Sequence, residues 1–370
     1  MKVKKLTLYN YRNISSAELT FSGEMNFLLG DNAQGKTNAL EAIYLFARGK
    51  SFRGASDSEL TAFGQSGYSV SLTFEKNDRE ETLFCSYTKK EKIRKRNGVL
   101  LEKQSELLGS FRAVLFSPDD LMMIKGSPAE RRRFLDVAIA QCYPVYLSLY
   151  SAYNKSLEQR NALLKQRKEG VSDDLSLSVW SESLANCAAD IYFYRKDYVE
   201  KLSVFARDFM ERLSGGKEQM TLSYDSNIKE NCHDRAAVEE RYRHLFSAHI
   251  DRETAAGTTL FGIHRDELTV LVGGKPLKDF GSQGQQRSAV LSLKMAEGAV
   301  SGDICGESPV YLFDDVLSEL DEDRRAFLLS GMKGCQFIVT GCEKSILGAY
   351  SDDVHFIQVS GGAFRCPPEA

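Results

Sequence analysis

Apolar and polar residues alternate near both ends of the chain, whereas through its middle apolar residues recur three and four positions apart. Strands are therefore expected at the ends and long helices between them. Val3 to Tyr9, Ala17 to Phe21 and Met25 to Leu29 predict short strands, and Asn38 to Phe46 predicts a helix. Ser69 to Phe74 alternates as a half-exposed strand. Thr82 to Thr88 and the stretch from Val99 to Leu101 flank a hairpin with an Asn97-Gly98 turn, and Arg112 to Phe116 reads as a buried strand.

After Pro128 the period changes. Tyr146, Leu149, Tyr150, Tyr153, Leu157 and Leu164 share one helical stripe, and Trp180, Leu184, Ala188, Ile191, Tyr194 and Tyr198 begin a second that runs on to Leu213. Two long helices packed as a short antiparallel pair account for both stripes, with Gly170 and Ser172 to Asp174 in the connection. The tyrosines are read as ridge-packing core. Residues 214–235 predict a strand with loops, and Ala236 to Ile250 a helix. Strand signals return at Thr258 to Phe261 and Glu267 to Val272, and again at Tyr311 to Phe313 and Gln336 to Val339, the last expected core strand. The expected division is 1–120, 121–252 and 253–370: an α/β head in two sequence halves, with a helical arm inserted between them.

Composition narrows the class. The 42% hydrophobic content supplies an ordinary core, and a net charge of −3 gives no global attraction to nucleic acid. No stretch reaches the roughly 18 apolar residues of a membrane span, and the basic N-terminus leads into no signal-peptide core. A cytoplasmic protein without a membrane partner is expected. The eight cysteines, from Cys85 to Cys366, include no Cys-x-x-Cys pair and read as reduced thiols.

The chemistry begins at Gly30-Asp31-Asn32-Ala33-Gln34-Gly35-Lys36-Thr37, a phosphate-loop pattern with a strand before it and a helix after it. Its glycines let backbone N–H groups wrap phosphates, Lys36 is the group that reaches the β- and γ-phosphates, and Thr37 can hold Mg²⁺. A chance glycine turn would lack the flanking strand and helix. Tyr311-Leu312-Phe313-Asp314-Asp315 has the form of a Walker B strand, with Asp314 on the metal and Asp315 orienting or deprotonating the attacking water. Ser282-Gln283-Gly284-Gln285 opens another apolar helix and offers a second anion-binding terminus. One protein face does not easily bring two such termini to one triphosphate. Ser282 is therefore expected to act on a nucleotide held by another copy.

Together with the Ser318-Glu319-Leu320-Asp321 loop, these motifs resemble the ABC-type ATPases of the SMC kind, and among them the RecF family. The narrower resemblance rests on Asn10-Tyr11-Arg12-Asn13, Gly30 to Asn38, Lys50-Ser51-Phe52-Arg53, Phe116 to Leu121, Gly126 to Pro128 with Arg131 to Asp136, and Gly262 to Asp266. It implies an ABC-type head with mixed β-sheets and an α-helical arm. It also implies ATP and Mg²⁺ as cofactors, and a weak, DNA-stimulated ATPase that dimerises with ATP. Duplex DNA near gap junctions, RecO and RecR are the implied partners, and RecA loading in DNA repair the implied task. By the same resemblance Arg12 and Asn38 lie beside the phosphates, and Lys36, Ser282 and Asp315 are the catalytic set. The chain departs from the pattern at Ile263, where the family usually has Pro, and at Asp315, where many such ATPases carry Glu. Thr340 stands where transporter ATPases carry a switch His; His264 is read as a satisfied structural histidine in preference to a γ-phosphate sensor.

Candidate DNA contacts are Lys89, Lys90, Lys92, Arg94, Lys95 and Arg96 at the hairpin, Arg131, Arg132 and Arg133 at the arm base, and Lys155, Arg160, Lys165, Arg167 and Lys168 beyond them. The first group equally suits a solvated hairpin end, and the second equally suits internal ion pairs with arm acids. Other classes fit less well. A transporter subunit would have no such arm, and a nuclease-linked ATPase would need a further acidic cluster. An ATP-binding scaffold without significant hydrolysis stays open at Asp315.

Overall fold

The structure, a computed structural model, describes residues 1–103, 106–171, 173–228, 232–331, 334–350 and 354–365. Ser172 and Cys366 lie outside these residues. The chain forms two compact units, one of Met1–Leu121, Arg212–Ser214 and Val290–Ala370, the other of Met122–Glu211 and Gly215–Ala289. Residue 252, where the sequence division ends the arm, is inside the second unit.

In the first unit an antiparallel sheet runs in the spatial order Ile14–Thr20, Lys2–Tyr11, Gly67–Lys76, Arg79–Thr88, Lys92–Arg96, Val99–Leu100. Tyr68, Val70, Leu72 and Phe74 are buried and their neighbours half-buried, the alternation of a sheet with one covered face. A second sheet runs Ala363–Arg365, Val354–Ser360, Met25–Leu29, Phe337–Gly341, Val310–Phe313, Ala113–Phe116, parallel in every pair but the first. Strands covered on both faces need continuous apolar runs. Val310–Phe313 and Ala113–Phe116 are buried at every position. Phe27 and Phe313 register with Val339 from opposite sides. The chain therefore leaves Leu29 and Phe313 at the C-terminal ends of parallel strands, with a single strand between them. Helix Lys36–Arg48 is buried from Ala39 to Ala47 and shares an apolar core with both sheets, Ile43 joining Leu6 and Leu72 to Leu312 and Ile338.

Several elements differ from the sequence pattern. Lys92–Arg96 is a strand paired with Leu83–Tyr87, so most of the basic run lies across a sheet and only Lys89 to Glu91 turn outside it. Thr258 to Phe261 forms no strand. The side-chain oxygen of Asn161 accepts from the Thr259 N–H at 2.7 Å and from its hydroxyl at 2.8 Å, which replaces a ladder partner. The core sheet does not end at Thr340, because Val354–Ser360 and Ala363–Arg365 extend it.

In the second unit, helices Pro128–Cys142 and Pro144–Lys168 each start on a proline, where the missing N–H has no intrahelical acceptor to lose. Helix Asp174–Leu213 has 40 residues and is about 60 Å long. It runs antiparallel to its predecessor: Tyr146 meets the Tyr194 ring, Ser156 Oγ lies 2.8 Å from Ser183 Oγ, and Arg160 Nε donates to Ser181 Oγ at 2.9 Å. Tyr146, Tyr153 and Tyr198 are fully buried, as ridge packing requires. A small antiparallel sheet of Lys275–Pro276, Glu267–Val272 and Met220–Asp225 completes the unit.

Its interior is polar. Arg195, 1% exposed, pairs with Asp136 at 2.8 Å and Asp266 at 3.4 Å and donates to the Ile263 carbonyl at 2.6 Å. Arg160 and Glu253 form a fully buried pair at 2.6 Å. His264 is engaged at both ring nitrogens, with Tyr153 Oη 2.6 Å from Nδ1 and the Thr259 carbonyl 3.2 Å from Nε2, and so is a structural histidine. Gly262 has φ +127°, and a Cβ there would meet Tyr153 Oη at 2.5 Å.

Burial pushes the Asp266 carboxyl up to about 6 and pulls His264 down to about 4. The raised acid contributes stability that is lost as pH rises through about 6. The depressed histidine contributes stability present above its ordinary 6.5 and lost as pH falls through about 4. Between those values the two slopes oppose each other. Relative to the parent, Asp266→Asn is expected to steepen the loss of stability on acidification from pH 6.5 to 4, and His264→Gln to reverse that change. Urea midpoints across the range check this; parallel profiles for both variants would contradict it.

Candidate nucleotide site

Gly30 follows Leu29 directly, and a Cβ there would lie 2.2 Å from the Val359 carbonyl oxygen, so only glycine lets the neighbouring strand pass. Gly35 caps helix Lys36–Arg48 at φ 114° with no side-chain hydrogen bond, which leaves the helix N-terminus to a ligand. Lys36 is buried and donates to the carbonyls of Gly30 at 2.5 Å and Asp31 at 3.3 Å, with Cys342 Sγ 3.2 Å away. Asn32 accepts from the Cys342 thiol at 3.2 Å. Gln34 accepts from the Gly361 N–H at 2.6 Å through its side chain and from the Gly362 N–H at 2.9 Å through its carbonyl. The loop is thus stapled by the ends of two strands, Phe337–Gly341 and Val354–Ser360, and the second was not legible in the sequence.

At the acidic strand, Thr37 Oγ1 donates to Asp314 Oδ1 at 2.7 Å, joining residues 277 positions apart. Thr340 Oγ1 lies 3.2 Å from the same carboxylate oxygen and accepts from the Asp315 N–H at 3.0 Å. Burial, helped by nearby Asp315, raises the Asp314 pKa against the hydrogen bonds from Thr37 and Thr340. A hydroxyl and a carboxylate are the hard oxygen donors Mg²⁺ takes, and a cation would offset that burial. Asp315 has φ 56°, in the left-handed region, and its carbonyl accepts from Ser318 Oγ at 2.7 Å. It lines a cavity of about 980 Å³ together with Arg12, Lys36, Thr37 and Arg53.

Arg12 is held by a residue that sequence reasoning missed. Its Nε and Nη2 donate to the two oxygens of Glu41 at 2.9 and 2.8 Å, and Glu41, fully buried, also accepts from Ser51 Oγ at 2.5 Å. This bidentate bond raises the Arg12 pKa further. The available signal was a single carboxylate in the otherwise apolar run Ala39 to Ala47. Asn13 accepts from Asn38 Nδ2 at 2.8 Å, and Asn38 in turn accepts from Arg53 at 3.2 Å.

The Ser282 helix start belongs to the second unit. Gln285 N–H donates to Ser282 Oγ at 3.2 Å, and Gln285 Oε1 accepts from the Ser282 N–H at 2.9 Å, a reciprocal capping box. Ser282 and Gln283 are exposed, Gly284 and Gln285 half-buried. The cap uses the Ser282 oxygen as acceptor and leaves its hydroxyl proton to donate.

The basic candidates separate. Lys92 pairs with Asp57 at 2.6 Å, Arg96 with Glu81 at 2.8 Å, and Lys95 lies over the Phe84 ring. Lys89 and Lys90 are exposed and Arg94 is half-buried. Arg131 is buried against Glu267 at 2.7 Å, Arg132 donates to the Asp266 carbonyl at 2.8 Å, and exposed Arg133 is 3.8 Å from Glu130. Arg131 and Arg160 therefore hold the interior of the second unit instead of facing a phosphate backbone. Lys155, Lys165 and Lys168 are exposed. No helix of the described residues is long and apolar enough to cross a membrane.

Glu41→Ala is expected to cost about 3 kcal/mol of stability, because it leaves the Arg12 guanidinium without its buried partner. Chemical denaturation measures it; a loss below about 1 kcal/mol would mean that the pair behaves as a surface bridge.

Comparison with known proteins adds three findings. Residues 2–362 match the model of the RecF/RecN/SMC N terminal domain. The chain is 40% identical over 333 residues to a protein named DNA replication and repair protein RecF from Exiguobacterium sp. strain AT1b, 90% of each chain. It is 37% identical over 366 residues to the protein of that name from Ruminiclostridium cellulolyticum, 98% of each. Among solved structures, the recombination mediator protein RecF with ATP in the RecFOR pathway is similar at TM-score 0.91 and 33% identity, over 99% of this chain and 97% of that one. The Smc head domain of Pyrococcus furiosus bound to the C-terminal domain of ScpA, at TM-score 0.57 and 19% identity over 99% of this chain and 96% of that one, shares the fold.

Proposed function

Because this chain belongs to the RecF family, we propose that it is an ATP-switched DNA-binding protein of replication and recombinational repair. The observation that carries the reading is the Thr37–Asp314 hydrogen bond, which unites phosphate loop and acidic strand. Backbone N–H groups at the uncapped helix start, with Lys36 swung off the Gly30 and Asp31 carbonyls, hold the phosphates. Thr37 and Asp314 hold Mg²⁺, which neutralises phosphate charge when bound. Asp315 orients the attacking water.

Ser282 of a second copy donates its free hydroxyl proton to the γ-phosphate, so that nucleotide joins the two copies. The dimer clamps duplex DNA near single-strand junctions and, with RecO and RecR, helps RecA load onto gaps in the cytoplasm. Cleavage of the γ-phosphate removes the group both copies hold and releases the clamp. Exposed lysines read phosphates without sequence preference, and binding weakens steeply with salt. A second reading, an ATP-binding scaffold without significant hydrolysis, is favoured by Asp315 itself. Its carboxylate is one methylene shorter than glutamate and its backbone is left-handed.

With ATP and Mg²⁺, light scattering is expected to show a monomer-to-dimer shift that Ser282→Arg loses while still binding ATP. Lys36→Ala should lose both. Equal loss of ATP affinity in the two variants would sink the assignment across copies. In single-turnover assays the parent is expected to hydrolyse ATP slowly and Asp315→Asn to dimerise without hydrolysis; no product from the dimeric parent would favour the scaffold.

A further inference from the structure

We infer that Phe63 is the base platform of this site, a ring that holds a purine by stacking area and not by reading its edge. The inference rests on the cavity being a nucleotide site. Phe63 is 104% exposed and is the only large apolar side chain among the described residues lining the cavity that also holds Lys36, Thr37 and Asp315. Leaving a phenyl ring in water forgoes the stabilisation its burial would give. Such a ring at a cavity wall is most simply explained by something that covers it.

The ring is presented by a built corner. The Gln65 N–H donates to the Ala62 carbonyl at 3.0 Å, and Gly64 follows Phe63 at φ +79°, the type II arrangement that puts Phe63 at the outer bend. The corner is anchored by Ala62 N–H to Asn10 O at 2.8 Å and Arg12 N–H to Leu60 O at 2.8 Å.

The same segment reaches the phosphate loop, since Asn13 Nδ2 donates to the Ala33 carbonyl at 3.4 Å. Residues 10–13 thus join the aromatic corner to the phosphate loop, as a ligand with a polyanionic end and a flat apolar end requires. Of the polar side chains beside Phe63, Glu59 is engaged with Ser56 and Thr61 with the Asp57 carbonyl, while Gln65 meets Asn10 through its Oε1 alone, at 3.5 Å. The phenyl ring is the large contact area on this wall. Stacking accepts any base by its π-face and favours the larger ring system.

Binding of ATP, GTP, CTP and inorganic tripolyphosphate, each with Mg²⁺, to the parent, Phe63→Ala and Phe63→Trp tests this. Phe63→Ala is expected to weaken ATP and GTP about tenfold, CTP less and tripolyphosphate not at all. Phe63→Trp, made with Trp180→Phe, should keep ATP affinity and change fluorescence with ATP but not with tripolyphosphate. Unchanged ATP affinity in Phe63→Ala would overturn the platform, including the case where only dimerisation is lost. Equal loss of tripolyphosphate would overturn it too, and a parent preference for ATP over GTP above a hundredfold would overturn the claim of area. A parent that binds neither ATP nor tripolyphosphate would instead remove the nucleotide site, and the platform with it.

Discussion

The hydrogen bond from Thr37 to Asp314, with Thr340 beside both acids, is the constraint on which the candidate nucleotide site depends. The strands that lead to its two partners flank Phe337–Gly341 in parallel, Leu29 registering with Gly341 and Phe313 with Val339. A slip of one residue in that register would turn every side chain of the strand to the other face and carry one partner away. The apolar core beneath, shared by both sheets and the helix after the loop, keeps the register. Oxygen donors and an uncapped helix start are held in place by packing below them, before any ligand arrives.

What was legible in the sequence was what local chemistry marks. The glycines and lysine of the phosphate loop, the apolar strand running into Asp314 and the helical stripes with their tyrosines declare themselves by spacing. Partners far along the chain do not. Glu41 looks like one acid in a helix until Arg12 closes on it. The Lys92–Arg96 run reads as a charged tip because a ladder with Leu83–Tyr87 leaves no mark in composition. Val354–Ser360 escaped because the pattern had already closed at Thr340, although that strand supplies the turn that holds Gln34.

Charge teaches the same lesson in the second unit. Arg131, Arg160 and Arg195 are each nearly withdrawn from water and matched to a carboxylate. A sequence counts them as basic surface. Buried pairs of this kind add little net stability but exclude arrangements that would leave one charge alone. Arg131 joins a helix to the small sheet through Glu267, and Arg160 and Arg195 join helix to helix through Glu253 and Asp136.

The staple between Gln34 and the Gly361-Gly362 turn has a consequence for the newborn chain. The two ends of that contact are 327 residues apart. At about 5–20 residues per second, the loop exists for roughly 15–65 s before its last support leaves the ribosome. Through that interval Gln34 lacks both of its partners and Gly30 lacks the strand it was shaped to accommodate. The supports of the loop therefore arrive late in synthesis, after most of the chain has been made.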